Sequence, residues 1–158
     1  MADNTYSAAG TKLYIASAAP ATMDVAGFSA ASWTQIGKVT NYTPASVEAE
    51  IITSQYLEDM FESKQKGINR VGSSSINVDV KDGDAGQSAC RASMNDKALD
   101  YFKVAYPNGR EKYVAAYVAG YSETDLQPNG MVSATITLAQ TLIETSTGNV
   151  QMIEKPAP

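Results

Sequence analysis

Alternation of apolar and polar residues with a period of two constrains this chain more than any other feature. In Met131–Ala139, Val132, Ala134, Ile136 and Leu138 alternate with Ser133, Thr135, Thr137 and Ala139. That period places the two sets on opposite faces of an extended strand, whereas a helix would scatter both around its axis. The pattern returns in Ser74–Lys81, where Ile76, Val78 and Val80 oppose Ser75, Asn77, Asp79 and Lys81. It returns again in Ser46–Thr53, where Val47, Ala49 and Ile51 oppose Ser46, Glu48 and Glu50. Thr11–Ser17 and Trp33–Val39 read as shorter strands. Leu99–Tyr106 and Arg110–Tyr121 flank Pro107-Asn108-Gly109, a tight hairpin turn. Tyr113, Tyr117 and Tyr121 are spaced to share one face of the second of these strands. A second Pro-Asn-Gly turn, 128–130, leads into the 131–139 strand. Each such strand must bury one face. The chain is therefore predicted to be mainly β, with about seven strands in an antiparallel sandwich or curled barrel.

The segments that break the alternation set the organisation. Asp82-Gly83-Asp84 is a turn, and Ala85–Met94 the one convincing helix, so one flanking α-helix is predicted over 84–94. Asp84 is its N-cap, with Gln87 as reciprocal partner in a capping box. Small residues on this helix (Ala85, Ser88, Ala89, Ala92) allow it to lie close on a sheet. Residues 18–32 read as a loop pinned by Phe28. Residues 54–70 are a long excursion between the 46–53 and 74–81 strands, which are expected to pair as an extended hairpin. Structureless excursions of that length inside a domain are usually functional or disordered. The expected domain spans 11–143, with an N-terminal arm over 1–10 and a polar C-terminal tail over 144–158.

Composition removes most enzymatic readings. Among 158 residues there is no His and one Cys, Cys90. The commonest general base and the commonest transition-metal ligand are therefore missing, and an intramolecular disulfide is impossible. No G-x-S-x-G, phosphate loop or dinucleotide fingerprint occurs. Asp82 and Asp84 lack the spacing of a calcium loop and read as turn and cap; Glu48 and Glu50 read first as the solvated face of a strand. No catalytic, cofactor or metal residue is predicted. The formal charge of −5 argues against a basic nucleic-acid groove. The basic run Lys64, Lys66 and Arg70 sits beside Glu58, Asp59 and Glu62, a mixture suited to a protein–protein contact. With no membrane-length apolar run and no signal pattern, the expectation is a chain made in a cytoplasm that does not bind membrane.

Two stretches carry a resemblance. Residues 10–41, GTKLYIASAAPATMDVAGFSAASWTQIGKVTN, show a short first strand, a small-residue loop with a Pro and a Phe, then a Trp-Thr-x-Ile-Gly strand. Residues 82–93, DGDAGQSACRAS, open a helix with Asp-Ala-Gly-Gln. Together they resemble the tail tube proteins of long-tailed, siphovirus-type bacteriophages, over residues 10 to about 140.

The resemblance implies a sandwich or barrel with a flanking helix. Six subunits would form a ring, their inner sheets joining into one β-barrel around a lumen. Rings would stack into a virion tail tube that conducts DNA, after the tape measure protein, and that meets tail terminator and tail-tip proteins at its ends. On this reading an acidic lumen is lined by Glu48, Glu50 and Asp79, with Lys81 partly offsetting them. The 54–70 loop makes ring-to-ring contacts through Tyr56, Leu57, Met60 and Phe61, with Lys64, Lys66 and Arg70 setting register. Two other readings stay open. One is another role on the same fold: tail terminator, head–tail connector or type VI secretion-like tube protein. The other is a soluble carbohydrate-binding sandwich with Trp33 and the tyrosines as a stacking platform.

Overall fold

The structure, a computed structural model, describes residues 5–124 and 126–158. Its main sheet is antiparallel and runs β2 (Thr34–Ile36), β1 (Lys12–Ala16), β7 (Asp100–Ala105), β8 (Glu111–Glu123), β9 (Ser133–Thr141), β6 (Ser73–Asp79), β3 (Val39–Thr43). The mainly β, antiparallel expectation holds. The sheet curls without closing into a barrel: β2 and β3 are its unjoined ends.

β8 is the pivot. Its first half pairs with β7 and its second half with β9, so it belongs to both leaves of the curled sheet. The inner faces of the leaves meet in one core that joins Leu13 and Ile15 of β1 and Val104 of β7 to Ile76 of β6 and Ile136 and Leu138 of β9. The alternating residues of β6 and β9 are those that go inward. A smaller core lies on the other face of the β1–β7–β8 leaf, where Phe28, Tyr101, Tyr113 and Ile143 pack together. Both faces of the first half of β8 are thus covered, and Tyr113 through Ala116 are all buried.

The three-tyrosine face is corrected by a β-bulge. Register shifts between Val118 and Gly120 insert one residue into β8. A one-residue slip turns every later side chain to the opposite face. Tyr113 therefore packs in the smaller core, Tyr121 against the larger one, and Tyr117 stays about half exposed.

A second helix, α1 (Val25–Ala30), occupies the expected 18–32 loop; Asp24 caps it and the wholly buried Phe28 pins it. Helix α2 (Ala85–Asn95) lies across β1, β2 and β8. Asp84 is its N-cap, its carboxylate accepting from Gln87 N at 2.9 Å. The expected capping box is half right, because the Gln87 side chain does not return to the cap. It turns into the core instead. Its amide donates to Gly37 O at 2.9 Å and Asp79 O at 3.0 Å, while its carbonyl accepts from Lys81 N at 3.1 Å. Asp84 also accepts from Gly37 N at 3.1 Å. The backbones are too close for larger residues here. A Cβ on Gly86 would sit 2.3 Å from Gln35 O, and one on Gly37 would sit 2.4 Å from Asp84 Oδ1.

The expected C-terminal tail is also corrected. Residues 143–155 form a small hairpin, β10 (Ile143–Thr145) with β11 (Gly148–Val150), then β12 (Ile153–Lys155), which pairs with the start of β8 where β9 has left it. The sequence there is polar, but Ile143, Val150 and Ile153 pack on the smaller core. Alternating charges fix the register: Glu154 meets Arg110 at 2.8 Å and Lys112 at 3.5 Å, and Lys155 meets Glu111 at 3.7 Å. Of the expected arm over 1–10, residues 1–4 lie outside the described residues; Tyr6 packs edge-on against Tyr106 with ring centroids 6.2 Å apart.

This packing can be tested at two buried polar groups. Gln87→Ala removes the partner of three part-buried backbone groups at once and should destabilise the protein by about 2 kcal/mol or more in urea titration, unfolding remaining a single transition. Asp100 is buried beside Ser93, whose hydroxyl hydrogen-bonds its carboxylate. Burial, helped by the negative charge of Asp96, pushes its pKa up to about 6 against an opposing hydrogen bond from Ser17. A raised folded-state value means that the native protein holds this proton more tightly than the unfolded chain. The contribution is full below about pH 4 and lost as pH rises through about 6. Asp100→Asn should remove that slope, with a difference of up to about 3 kcal/mol between the two pH limits, read from denaturation midpoints across pH 4–7.

Candidate functional site

The 54–70 segment is not a loop. β4 (Val47–Ser54) pairs antiparallel with β5 (Ser63–Val71), leaving residues 55–62 as the tip. The expected pairing of 46–53 with 74–81 is therefore wrong. β6 pairs with β3 and β9, and β4 folds back on a segment whose apolar residues are too sparse to read as a strand. The ribbon continues the β3–β6 pair outward, through a bond from Gly72 N to Ser46 O at 2.8 Å.

This hairpin has no core beneath it. Val47 and Ile51, the expected apolar face, are 43% and 56% exposed, and Ile52, on the opposite face, is 51% exposed. At the tip Leu57, Met60 and Phe61 stand almost wholly in solvent, and Tyr56 is largely exposed. An isolated two-stranded ribbon is marginal in water, and a contiguous exposed apolar surface marks a contact site. Lys64, Lys66 and Arg70 lie on β5; Lys64 pairs with Glu62 at 2.8 Å and Arg70 with Glu50 at 3.2 Å. The seven residues expected to make inter-ring contacts are thus gathered on one ribbon, the apolar ones at its tip and the cations along its stem.

The four residues expected on the lumen are not brought together. Glu48 and Glu50 share one face of β4, and that face is shared with Arg70, which lies opposite Glu48. Asp79 lies at the far end of β6, accepting from Ser133 Oγ at 3.0 Å. Lys81 follows it, beyond the strand. Around Asp79 is a surface that the alternation contained but that was not singled out from sequence. Asn41 stands beside Asn77 and Thr135, and Thr43 beside Ser75 and Thr137. Thr135 Oγ1 donates to Asn77 Oδ1 at 2.9 Å. This outer face of β3–β6–β9 presents hydroxyls and amides, and Asp79 is its one charged side chain among the residues just named.

The aromatic residues do not form an open stacking platform. Trp33 stacks on Phe28 and Tyr113 at 6.5 and 5.8 Å, and its indole donates to Phe28 O at 2.8 Å. Cys90 is buried in the larger core, and burial pushes its thiol up to about 12, so it offers no nucleophile at neutral pH. No group of three or more His, Cys, Asp or Glu residues able to hold a metal ion occurs among the described residues.

Residues 13–147 match the family model described as lambda phage tail tube protein. No curated protein matches the chain. Among solved structures, the SPP1 tail tube protein is similar at TM-score 0.59 and 16% identity, over 92% of this chain and 76% of that one. A chain from the tail of an empty GTA particle gives TM-score 0.55 and 19% identity, over 72% of this chain and 85% of that one. A chain from the sheath/tube terminator structure of the extracellular contractile injection system PVC gives TM-score 0.64 and 10% identity, over 99% and 100%. At these identities the likenesses show a shared fold.

Because no described residue of the body covers the hairpin tip, the tip should be dispensable for folding. Replacing residues 55–62 with Asn-Gly should move the stability measured in urea by no more than about 1 kcal/mol, with the β-rich circular dichroism spectrum retained.

Proposed function

The chain belongs to the lambda phage tail tube protein family, structural proteins of the phage virion tail, and from that premise we propose that it assembles with copies of itself into six-membered rings that stack as the hollow tube. The observation that carries this reading is the projecting hairpin. Its exposed Leu57, Met60 and Phe61 are covered by none of the described residues of their own subunit, so the ribbon is ordered by what it meets in another. The unjoined edges at β2 and β3 support it as well. Free sheet edges are liabilities for a monomer, and pairing with a neighbour removes them. A ring built that way closes the curled sheets into a joint barrel. Sixfold symmetry is supported by the similar GTA tail, which was refined with C6 symmetry.

The lumen is lined, on this reading, by the hydroxyl- and amide-rich face around Asp79, with Lys81 at its end; the register carries Val47 and Ala49 onto that face of the hairpin and turns Glu48 and Glu50 to the opposite one. Few cations face the bore, so phosphates passing through release few counterions and DNA is not held. The tape measure protein and then DNA occupy this bore. Terminator and tail-tip proteins close the ends, and assembly takes place in the host cytoplasm. A terminator role on the same fold is the second reading, supported by the likeness to the PVC sheath/tube terminator structure.

Negative-stain microscopy of concentrated protein tests both. Stacked tubes are expected; single annuli at every concentration would favour the terminator, and a protein that stays monomeric would sink both. Leu57→Asp with Phe61→Asp should abolish tubes and leave the thermal midpoint unchanged, since neither side chain touches the core.

A further inference from the structure

The sheet does not close, and its seam leaves an open groove of about 500 Å³. Residues 8–11 form one wall, backed by Val104 and Tyr106; residues 39–42 and Pro44 form the other. Arg110 and Lys112 each hold their charge 5.8 Å from the centre of the Tyr106 ring, and Lys112 lines the smaller pocket that continues the groove. These two cations share the single carboxylate of Glu154. The groove therefore sets Leu13, Val39, Val104 and Tyr106 among Thr11, Thr40 and Asn41, and carries two cations against one carboxylate at one end.

The hairpin tip is its complement. Between Gln55 and Glu62 it carries Leu57, Met60 and Phe61 exposed to solvent, together with Glu58, Asp59 and Glu62 and no base. The tip cannot reach the groove of its own subunit. The hairpin leaves the body at Pro44, which is itself part of the groove wall, and the eight residues of β4 carry the tip outward by about 26 Å at a strand's rise per residue.

We propose that the hairpin tip of one copy seats in the seam groove of a second copy, with Leu57 and Phe61 entering between the walls and Glu58 and Asp59 facing Arg110 and Lys112. This rests on the self-assembly reading above and names the receiving surface, which that reading leaves open. Tip and groove are different surfaces of one chain. Where two copies do not exchange tips reciprocally, the contact is head-to-tail, and each added copy presents a fresh tip or a fresh groove, so the assembly closes as a ring or grows by repetition.

Site-directed disulfide trapping tests it. Leu57→Cys is combined with Thr40→Cys in one wall or, separately, with Ala9→Cys in the other. Ser122→Cys on the outer face of β8 is the control partner; the native Cys90 is buried and stays silent. Mild oxidation should give a ladder of covalent oligomers on a denaturing gel when the partner is Thr40→Cys or Ala9→Cys, and at least about tenfold less when it is Ser122→Cys. Tubes in the micrograph without a groove-specific ladder overturn the groove and leave the tube reading standing, as does equal trapping by Leu57→Cys alone, which would mean that tips meet tips. A ladder without tubes supports the groove and removes the tube. If neither tubes nor ladder form, both readings fall.

Discussion

The fold depends on the three hydrogen bonds of the Gln87 side chain. The two leaves are joined by ladder through β8, but no ladder joins the open ends of the curled sheet. Gln87 supplies the missing tie by bonding Gly37, at the end of β2, and Asp79, at the end of β6, from one amide. The third bond, from Lys81 N, fixes the turn that brings α2 over the gap. A buried amide so satisfied costs little, and one left half satisfied would cost more than an apolar residue. The arrangement works only because Gly86 and Gly37 let the helix start and the strand end approach within the radius of a side chain. The two sequence stretches that carry the tail-tube resemblance, Trp-Thr-x-Ile-Gly and Asp-Ala-Gly-Gln, are thus the two sides of one contact. That physical reason explains why they occur together in one chain.

Holding the leaves from the helix side has a consequence for the other side. Because α2 and Gln87 keep the sandwich together, the edges β2 and β3 need no covering strand from their own chain, and the hairpin can extend the β3–β6 pair into solvent without weakening the core. Stability and assembly are thereby separated. The body carries the buried cores, while the ribbon carries exposed apolar residues that no intramolecular contact explains. A surface meant to meet another subunit must be left unsatisfied by its own, and a body that is stable alone permits that.

The parts of the fold that alternation could show were those where one face is buried and the chain runs straight. β6 and β9 are such strands, and their apolar residues go where the pattern placed them. The pattern failed where local structure broke it. One bulged residue in β8 turns Tyr121 to the face opposite Tyr113, and nothing in Val-Ala-Gly marks the slip strongly enough to see beforehand. In β4 the alternation was real but did not mean burial, because Val47 and Ile51 face outward on a ribbon. β5 was missed because its sequence, SKQKGINRV, holds few apolar residues; it is a strand only by pairing with β4. The tail read as polar because its two apolar residues packed on the smaller core, Val150 and Ile153, are spread across short strands, while Ile143 lies just before it. The tip residues of the hairpin were legible, since large apolar side chains amid charges are unusual whatever the backbone does. The groove was not, since its walls come from segments far apart in sequence.

Net charge was a poor guide to where charge acts. Several carboxylates of this acidic chain have structural partners. Asp24 and Asp84 cap helices, Asp100 lies buried against Ser93, and Glu111 and Glu154 pin β12 to β8 through Lys155, Arg110 and Lys112. Glu50 answers Arg70 across the ribbon, and Glu62 answers Lys64. The net charge therefore does not say which face is acidic, and the face around Asp79 carries one charge among hydroxyls and amides. If that face lines a bore, passing DNA moves freely because cations are scarce there, more than because acids are dense: a polar neutral wall gives phosphates nothing to exchange their counterions for. Glu58 and Asp59 then stand out as carboxylates at an apolar tip, placed where a charge can choose a partner and set its register.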